Sequence, residues 1–235
     1  MSEQVTIDRR FRGPPESGNG GYVCGVVAEL IGSTVEVTLR HPPPLDRPLQ
    51  VARLDDGGVA LRDGETVIAE AAPAMVEIDI PEPVSFTEAV EASRSYLGFR
   101  QHIFPTCLVC GPQRTEGDGL RIFPSSIPGR DIVAAPWTPD ASLASEDSVI
   151  RPEFVWAALD CPSGWAVFGD PSQGRPAVLG RLAARLIAPV QPSERCVVIG
   201  WPLAEDGRKL YSGTALFSQD GDLRAVARAT WVRLT

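Results

Sequence analysis

Two carboxylates on one apolar segment are the strongest candidates for chemistry in this sequence. Residues 152–161 read Pro-Glu-Phe-Val-Trp-Ala-Ala-Leu-Asp-Cys, and only Glu153 and Asp160 are charged. A carboxylate can act as a nucleophile or activate a water molecule, and burial in an apolar helix raises its pKa unless donors or a cation compensate. Asp160 is therefore the leading catalytic candidate and Glu153 the second. The structural alternatives are a capping or salt-bridged Asp and a Glu that suits a helix N-terminus.

A second apolar segment, residues 18–32, supplies candidate hydrogen-bond donors. It opens with Asn19, Gly20 and Gly21, and Glu29 is its one carboxylate. Asn is a good N-cap, and the free N–H groups of a helix start can bind an oxygen on which negative charge develops. The alternative is an ordinary N-cap with close helix–sheet packing. Interior glycines cost about 1 kcal/mol each in a helix, which indicates a close backbone approach.

The cysteines permit a metal site but do not demand one. Cys107-x-x-Cys110 could begin a zinc site, which normally takes four ligands; the remaining candidates are His102, Cys161 and Cys196. Because no second Cys-x-x-Cys is present, we expect no metal here. Five cysteines in 235 residues fit reduced thiols in a cytoplasm better than a disulfide framework.

The elements that must position these residues occur twice in the same order. Each apolar helix is followed by a strand, a proline-rich turn and three more strands joined by Asp-Gly dipeptides, which favour tight hairpins. Strands are predicted at residues 35–39, 49–54, 59–62, 66–72, 179–187, 195–203, 209–218 and 223–234, with opening strands for the second half at 119–124 and 131–137. Pro162 is expected to end or kink the second helix just past Asp160.

This order predicts an α+β protein of two tandem units, each a curved antiparallel sheet around one long central helix. The first unit covers residues 1–81, an amphipathic linker helix lies in residues 82–100, and the second unit covers residues 101–235. Each sheet alone would leave an open edge, so we expect the two sheets to pair into one.

Composition excludes several classes of partner. The net charge is −8 and no run of Lys or Arg is present, so nucleic acid and anionic membrane surfaces are not expected partners. No apolar stretch approaches the ~18 residues of a spanning helix, and the first twelve residues do not have the apolar core of a signal peptide. The sequence predicts a cytoplasmic protein.

Several motifs resemble those of hotdog-fold thioesterases. Cys107-Leu-Val-Cys110-Gly followed by Gly119-Leu-Arg-Ile-Phe resembles the opening of phenylacetate-type members, and Asn19-Gly-Gly-Tyr22 resembles the Gly-Gly helix opening of tandem acyl-CoA thioesterases. The resemblance implies that Asp160 occupies the position of a catalytic Asp. It also implies that Gly20, Gly21 and Tyr22 contact the coenzyme A part of the substrate.

The sequence departs from that family at the residues expected to be catalytic. Where a His-Gly-Gly would precede Asp160 by nine residues, this chain has Arg151-Pro152-Glu153. In the first half, Ala28 stands nine residues past Asn19 and Glu29 is one place late, a rotation of about 100° on a helix. Arg151 could pair near Asp160, bind a phosphate of coenzyme A, or simply be solvated.

The resemblance implies an acyl-thioester hydrolase with a site shared between two hotdog units, Asp160 acting as base or nucleophile and Asn19 as donor. Coenzyme A would enter only as part of the substrate, and no other cofactor is expected. The alternative is a non-catalytic acyl-CoA- or lipid-binding protein that keeps the fold and lacks the acid–base machinery. Because hotdog units usually pair, we expect either a homo-oligomer or an internal pseudo-dimer.

Overall fold

The fold is α+β, as predicted, with one large antiparallel sheet and few helices. The computed structural model describes residues 3–32, 34–169 and 176–234. The helices are α1 (Gly20–Glu29), α2 (Phe86–Ser93) and α3 (Pro152–Trp165), and short 3-10 turns cover Arg9–Phe11, Leu97–Phe99 and Ala141–Leu143. The strands are β1 (Gln4–Thr6), β2 (Val35–Leu39), β3 (Pro48–Arg53), β4 (Val59–Asp63), β5 (Thr66–Pro73), β6 (Ser125–Ser126), β7 (Val133–Trp137), β8 (Ala177–Leu186), β9 (Cys196–Asp206), β10 (Lys209–Ser218) and β11 (Leu223–Arg233).

The eleven strands form one sheet. Read outward from the middle, the four inner strands on each side follow the same order. The order is β1-β3-β4-β5-β2-β8-β11-β10-β9-β7-β6. The strands are counted from the long helix that precedes them. The first strand after each long helix is central, and the fourth, third and second strands after that helix follow it outward. The central strands β2 and β8 pair antiparallel, with Val37 opposite Leu182. The sheet is therefore continuous across the two halves of the chain.

Glycines bring the two long helices into close contact. A Cβ added to Gly21 would overlap Cβ of Asp160, and one added to Gly25 would lie 2.5 Å from Cα of Glu153. Since the later residue of α1 meets the earlier residue of α3, the two helices run in opposite directions. The helix start predicted at Asn19 is confirmed: its side chain accepts the N–H of Tyr22.

Apolar side chains bury both faces of the second half of the sheet. Cys196 and Val198 belong to the main core beneath α1 and α3. Val197 and Ile199, which alternate with them and point to the opposite face, join a second cluster with residues near α2. The main core, which includes Cys196 and Val198, therefore positions α1 and α3 on the sheet.

Of the two outcomes expected at Pro162, an end or a kink of the second helix, the end does not occur, because α3 continues to Trp165. Pro162 lacks the N–H that would reach the carbonyl of Ala158, and the hydroxyl of Ser163 donates to the carbonyl oxygen of Asp160 in the same turn at 2.6 Å. On the facing strand β9, a Cβ at Gly200 would overlap the carbonyl group of Pro162. A glycine on the sheet therefore lets the strand contact the helix backbone directly.

Two other predictions differ from the structure. Residues 119–124 do not form a strand: Arg121 has a φ of 54°, which interrupts an extended ladder. The segment instead hydrogen-bonds to the Cys-x-x-Cys turn, through Leu120 N–H to the Leu108 carbonyl and Ile122 N–H to the Val109 carbonyl. The linker helix expected in residues 82–100 covers only Phe86–Ser93.

Among the described residues, no helix has the length and apolar character needed to cross a bilayer. The longest of them, α3, has 14 residues and so extends about 21 Å, less than the ~30 Å hydrocarbon core of a bilayer.

The close contact at Gly25 predicts the stability of a variant. Replacement of Gly25 by Ala gains about 1 kcal/mol of helix propensity, but its methyl group meets the backbone of α3 and forces the helices apart. We expect the free energy of unfolding to fall by about 1–3 kcal/mol in urea denaturation.

The control is Gly180→Ala on β8, where the new Cβ would meet the end of the Val232 side chain at 3.0 Å. Because that methyl group can move aside, the free energy of unfolding should change by about 0.5 kcal/mol or less. If Gly25→Ala is as stable as the wild type, the close packing of the two helices is wrong.

Candidate active site

The two helices meet at the carboxylate of Asp160. Its residue is only 2% exposed. Oδ2 accepts two hydrogen bonds from the start of α1, one from Nδ2 of Asn19 at 2.7 Å and one from the backbone N–H of Gly21 at 3.1 Å. The acid of one half of the chain is therefore held by donors of the other half, 141 residues apart in sequence.

The amide of Asn19 is held at both ends. Its Oδ1 accepts the N–H of Tyr22 at 2.9 Å, which caps α1, while its Nδ2 donates to Asp160. If the amide were flipped, its NH₂ group would face the Tyr22 N–H and its oxygen would face the Asp160 carboxylate. Both contacts are unfavourable, so the environment specifies one orientation. Asn19 thus combines the two interpretations from the sequence: it is an N-cap and it contacts the candidate acid.

The pKa of Asp160 is raised to about 7, first by burial and then by negative charge on Cys107, although the hydrogen bonds from Gly21 and Asn19 act to lower it. The other carboxylate oxygen, Oδ1, is buried and has no hydrogen-bond partner among the described residues. A buried polar atom without a partner is uncommon. The carboxyl group can therefore exchange a proton near neutral pH, and one of its oxygens is not engaged by any described group.

Asp160 lies on the wall of a cavity of about 580 Å³. The lining is mostly apolar, with polar groups gathered near the start of α1. Apolar and aromatic lining residues include Leu39, Ile103, Phe104, Trp165, Phe168, Val178, Leu179 and Trp231. Such a cavity suits an apolar ligand that carries a small polar group opposite Asp160.

Gly20 also lines this cavity, and its backbone N–H belongs to the first turn of α1. Within the described ranges, the neighbouring N–H groups of Asn19, Gly21 and Tyr22 have acceptors, and no bond from Gly20 accompanies them. A free N–H at a helix start favours a negatively charged oxygen. Gly20 is therefore the donor at this helix start that a ligand could use.

The structure places the other predicted site residues at the opposite end of α3. Glu153 precedes Asp160 by seven positions, about 10 Å along a helix. Arg151 lies 3.4 Å from Glu153 Oε1 and over the ring of Phe154 at 4.7 Å, and it donates no side-chain cap to α3. Tyr22 stacks its ring on Phe11 at 4.3 Å. None of Glu153, Arg151 and Tyr22 is among the residues that line the cavity.

Trp231 is a site residue that the sequence did not reveal. Its indole N–H donates to the Ser163 hydroxyl at 2.9 Å, and that hydroxyl donates to the carbonyl of Asp160. The available signal was the need of a buried Trp for a hydrogen-bond acceptor, but the acceptor lies 68 residues away. Trp231 fixes the backbone of α3 directly after Asp160.

Three cysteines converge on the same cavity. The sulfur atoms of Cys107, Cys110 and Cys161 all lie within 4.8 Å of one another and are buried. His102 Nε2 is 3.3 Å from Cys110 Sγ. Among the described residues, the three cysteines are the group that could hold a metal ion next to Asp160.

The raised pKa of Asp160 predicts how stability depends on pH. Between about pH 4 and pH 7 the folded protein keeps a proton that the unfolded chain releases, so the carboxyl group makes the protein less stable as the pH rises. In protein dialysed against a chelator, Asp160→Asn should gain stability relative to the wild type by roughly 2–3 kcal/mol between pH 5 and pH 8.

Urea denaturation at several pH values measures this difference, with the exposed Asp131→Asn as the control. If the difference between Asp160→Asn and the wild type does not change with pH, the carboxyl group does not titrate near neutrality.

A scan against protein-family models finds no match, and a search of curated proteins finds no relative. Among solved structures, the TesB protein of Mycobacterium avium subspecies paratuberculosis is similar over 99% of this chain and 92% of its own, with a TM-score of 0.62 and 13% sequence identity. The PaaI protein from the phenylacetic acid degradation operon of E. coli matches 49% of this chain and 81% of its own, with a TM-score of 0.44 and 15% identity. The first likeness extends over nearly the whole chain. The protein therefore shares the fold of that TesB protein, in agreement with the hotdog fold that its sequence motifs predict.

Proposed function

We propose that this protein hydrolyses acyl thioesters of the acyl-coenzyme A type at a single site between α1 and α3, with Asp160 as the catalytic acid–base residue. The observation that carries the proposal is the arrangement at the cavity wall. A buried carboxyl group with one unpartnered oxygen lies beside a free helix N–H, opposite an apolar cavity. Hydrolysis of a thioester needs a base or nucleophile and a donor for the carbonyl oxygen.

In the proposed reaction, the thioester carbonyl oxygen accepts a hydrogen bond from the Gly20 N–H. Ionised Asp160 takes a proton from water through Oδ1, and the resulting hydroxide attacks the carbonyl carbon. The tetrahedral intermediate then breaks its C–S bond, and the leaving sulfur takes the proton from Asp160. A pKa near 7 suits a group that must accept and then return a proton.

Asn19 and Gly21 have a positioning role in this scheme. Both donate to Oδ2 of Asp160, which leaves Oδ1 for water. The sequence suggested that these donors bind the thioester oxygen, but in the structure they bind the acid. Gly20 is therefore the residue of this helix start to which the proposal assigns the substrate oxygen.

The proposal includes two hotdog units in one chain, residues 1–81 and 101–235, joined by the segment 82–100. The mirrored strand order about the β2–β8 pair supports it. The two units would form an internal pair, in which α1 supplies the donors and α3 the acid. The N-cap of α1 is Asn19, and the N-cap of α3 is Arg151. Asp160 on α3 corresponds by position to the buried Ala28 on α1. This asymmetry supports one site per chain.

A non-catalytic acyl-thioester binder is the second candidate. It is favoured by the occupied donors, because Asn19 and Gly21 already bind the carboxyl group, and by the burial of Oδ1. In that case the cavity would bind the acyl chain and Asp160 would have only a structural role.

Replacement of Asp160 by Asn decides between the two candidates. The variant keeps the shape of the side chain and removes its basicity, so we expect kcat/KM for acyl-coenzyme A to fall by about 10²–10⁴-fold. Chromatography of free coenzyme A across a panel of acyl lengths measures it. Turnover should be absent from Asp160→Asn but present in the exposed control Asp131→Asn.

A second variant separates positioning from folding. Asn19→Ser keeps a good N-cap but cannot reach Asp160 with an amide, so kcat should fall while the free energy of unfolding changes by about 1 kcal/mol or less. Glu153→Gln tests the other acid predicted from the sequence: loss of turnover there, with Asp160→Asn still active, would contradict the proposal. Saturable binding without turnover on any acyl chain, unchanged in Asp160→Asn, would favour the binder.

A further inference from the structure

The sulfur atoms of Cys107, Cys110 and Cys161 form a compact buried group. The pair Cys107 and Cys161 is 3.8 Å apart, and all three sulfurs lie within 4.8 Å of one another. Zinc binds thiolate sulfur at about 2.3 Å in a tetrahedral arrangement, which separates two ligand sulfurs by about 3.8 Å. The three side chains are thus close to the spacing that one zinc ion requires.

The surroundings of Cys107 suit a thiolate in a tight turn. Asn19 Nδ2 donates to its sulfur at 3.8 Å, and the Gly111 N–H donates to the Cys107 carbonyl at 3.0 Å, which closes the turn. Gly111 permits this tight turn, because a Cβ there would lie 2.5 Å from the backbone N and O of Cys107. N–H donors to ligand sulfur are the usual supporting contacts of a thiolate metal site.

Cys110 has a side-chain donor beside its sulfur. His102 Nε2 lies 3.3 Å from that atom. The Nδ1 of His102 accepts the Phe104 N–H at 3.0 Å, so the proton of a neutral imidazole is on Nε2 and that nitrogen donates to sulfur. His102 therefore supports the cluster through a hydrogen bond and is not arranged as a ligand.

We propose that Cys107, Cys110 and Cys161 bind one zinc ion, with the fourth coordination position open to the cavity. Binding requires all three cysteines as thiolates and releases to solvent the protons that their thiols still carry, which leaves the oxidation state of sulfur and metal unchanged. All three cysteines line the cavity, so water or a small solute can complete the tetrahedron. The proposal revises the sequence-based expectation of no metal and does not depend on thioester hydrolysis.

Two features favour a metal over three free thiols. The cluster has two side-chain N–H donors beside its sulfurs, Asn19 Nδ2 and His102 Nε2, whereas neutral thiols are weak acceptors. The cysteines also come from segments that are distant in sequence: 54 residues separate Cys107 from Cys161. A metal ion would join the Cys-x-x-Cys turn to α3 beside Asp160.

Metal analysis of the purified full-length chain tests the proposal directly. We expect one zinc ion per chain after growth with added zinc, and release of that ion when a mercurial reagent titrates the thiols. Cobalt substitution should give one tetrahedral Co²⁺ per chain with thiolate charge-transfer bands, and a free small thiol should shift its visible bands through the open position.

The variants Cys107→Ser and Cys161→Ser should lose the ion. The control is Cys196→Ala, which changes a buried cysteine outside the cluster and should keep the ion. His102→Ala should keep one cobalt ion. Because a cluster variant can fail to fold, zinc release and cobalt spectra of the wild type serve as the independent readout. Folded wild type that binds neither ion, or a disulfide between Cys107 and Cys161 in unreduced peptide maps, overturns the proposal; loss of cobalt from His102→Ala overturns the open position.

Discussion

The carboxyl group of Asp160 is removed from water between two helices, and this determines how those helices must meet. A buried carboxylate is costly unless donors reach it. The only donors to Oδ2 in the described part of the chain come from the first turn of α1, through Asn19 and Gly21. The start of α1 must therefore lie opposite the middle of α3, with the two helices antiparallel and close enough for backbone N–H to reach carboxylate.

That requirement accounts for the glycines of α1. A side chain at Gly21 would overlap Asp160 itself, and one at Gly25 would overlap the backbone of Glu153. Glycine weakens an isolated helix by about 1 kcal/mol at each position, so α1 depends on its packing to remain helical. Its stability is therefore coupled to α3 and to the continuous sheet beneath both helices, and the two halves of the chain stabilise one another.

The sequence predicted the features that depend on local pattern. The Asn19 cap, the two apolar helices and the strands with Asp-Gly hairpins follow from spacing within a few residues. The features that failed depend on contacts across the chain: Gly200 accommodates Pro162 from another strand, and residues 119–124 bond to the cysteine turn instead of forming a strand. The cysteine cluster was equally hidden, because only the fold brings Cys161 to Cys107.

The unequal ends of the helix pair follow from the same cost of buried charge. Where Asp160 and Asn19 face each other, two hydrogen bonds offset the burial of one carboxyl group. At the other end, the buried Ala28 provides no acid, and the start of α3 packs through aromatic rings: Tyr22 lies 5.5 Å from Phe154 and 4.3 Å from Phe11. Apolar packing stabilises that end without a second buried carboxylate, whereas a second polar site would add the desolvation of another charge. Restricting the fully buried acid to one end therefore lets the rest of the helix interface contribute stability, and it places Asp160 and Asn19 on the wall of the cavity that a ligand can enter.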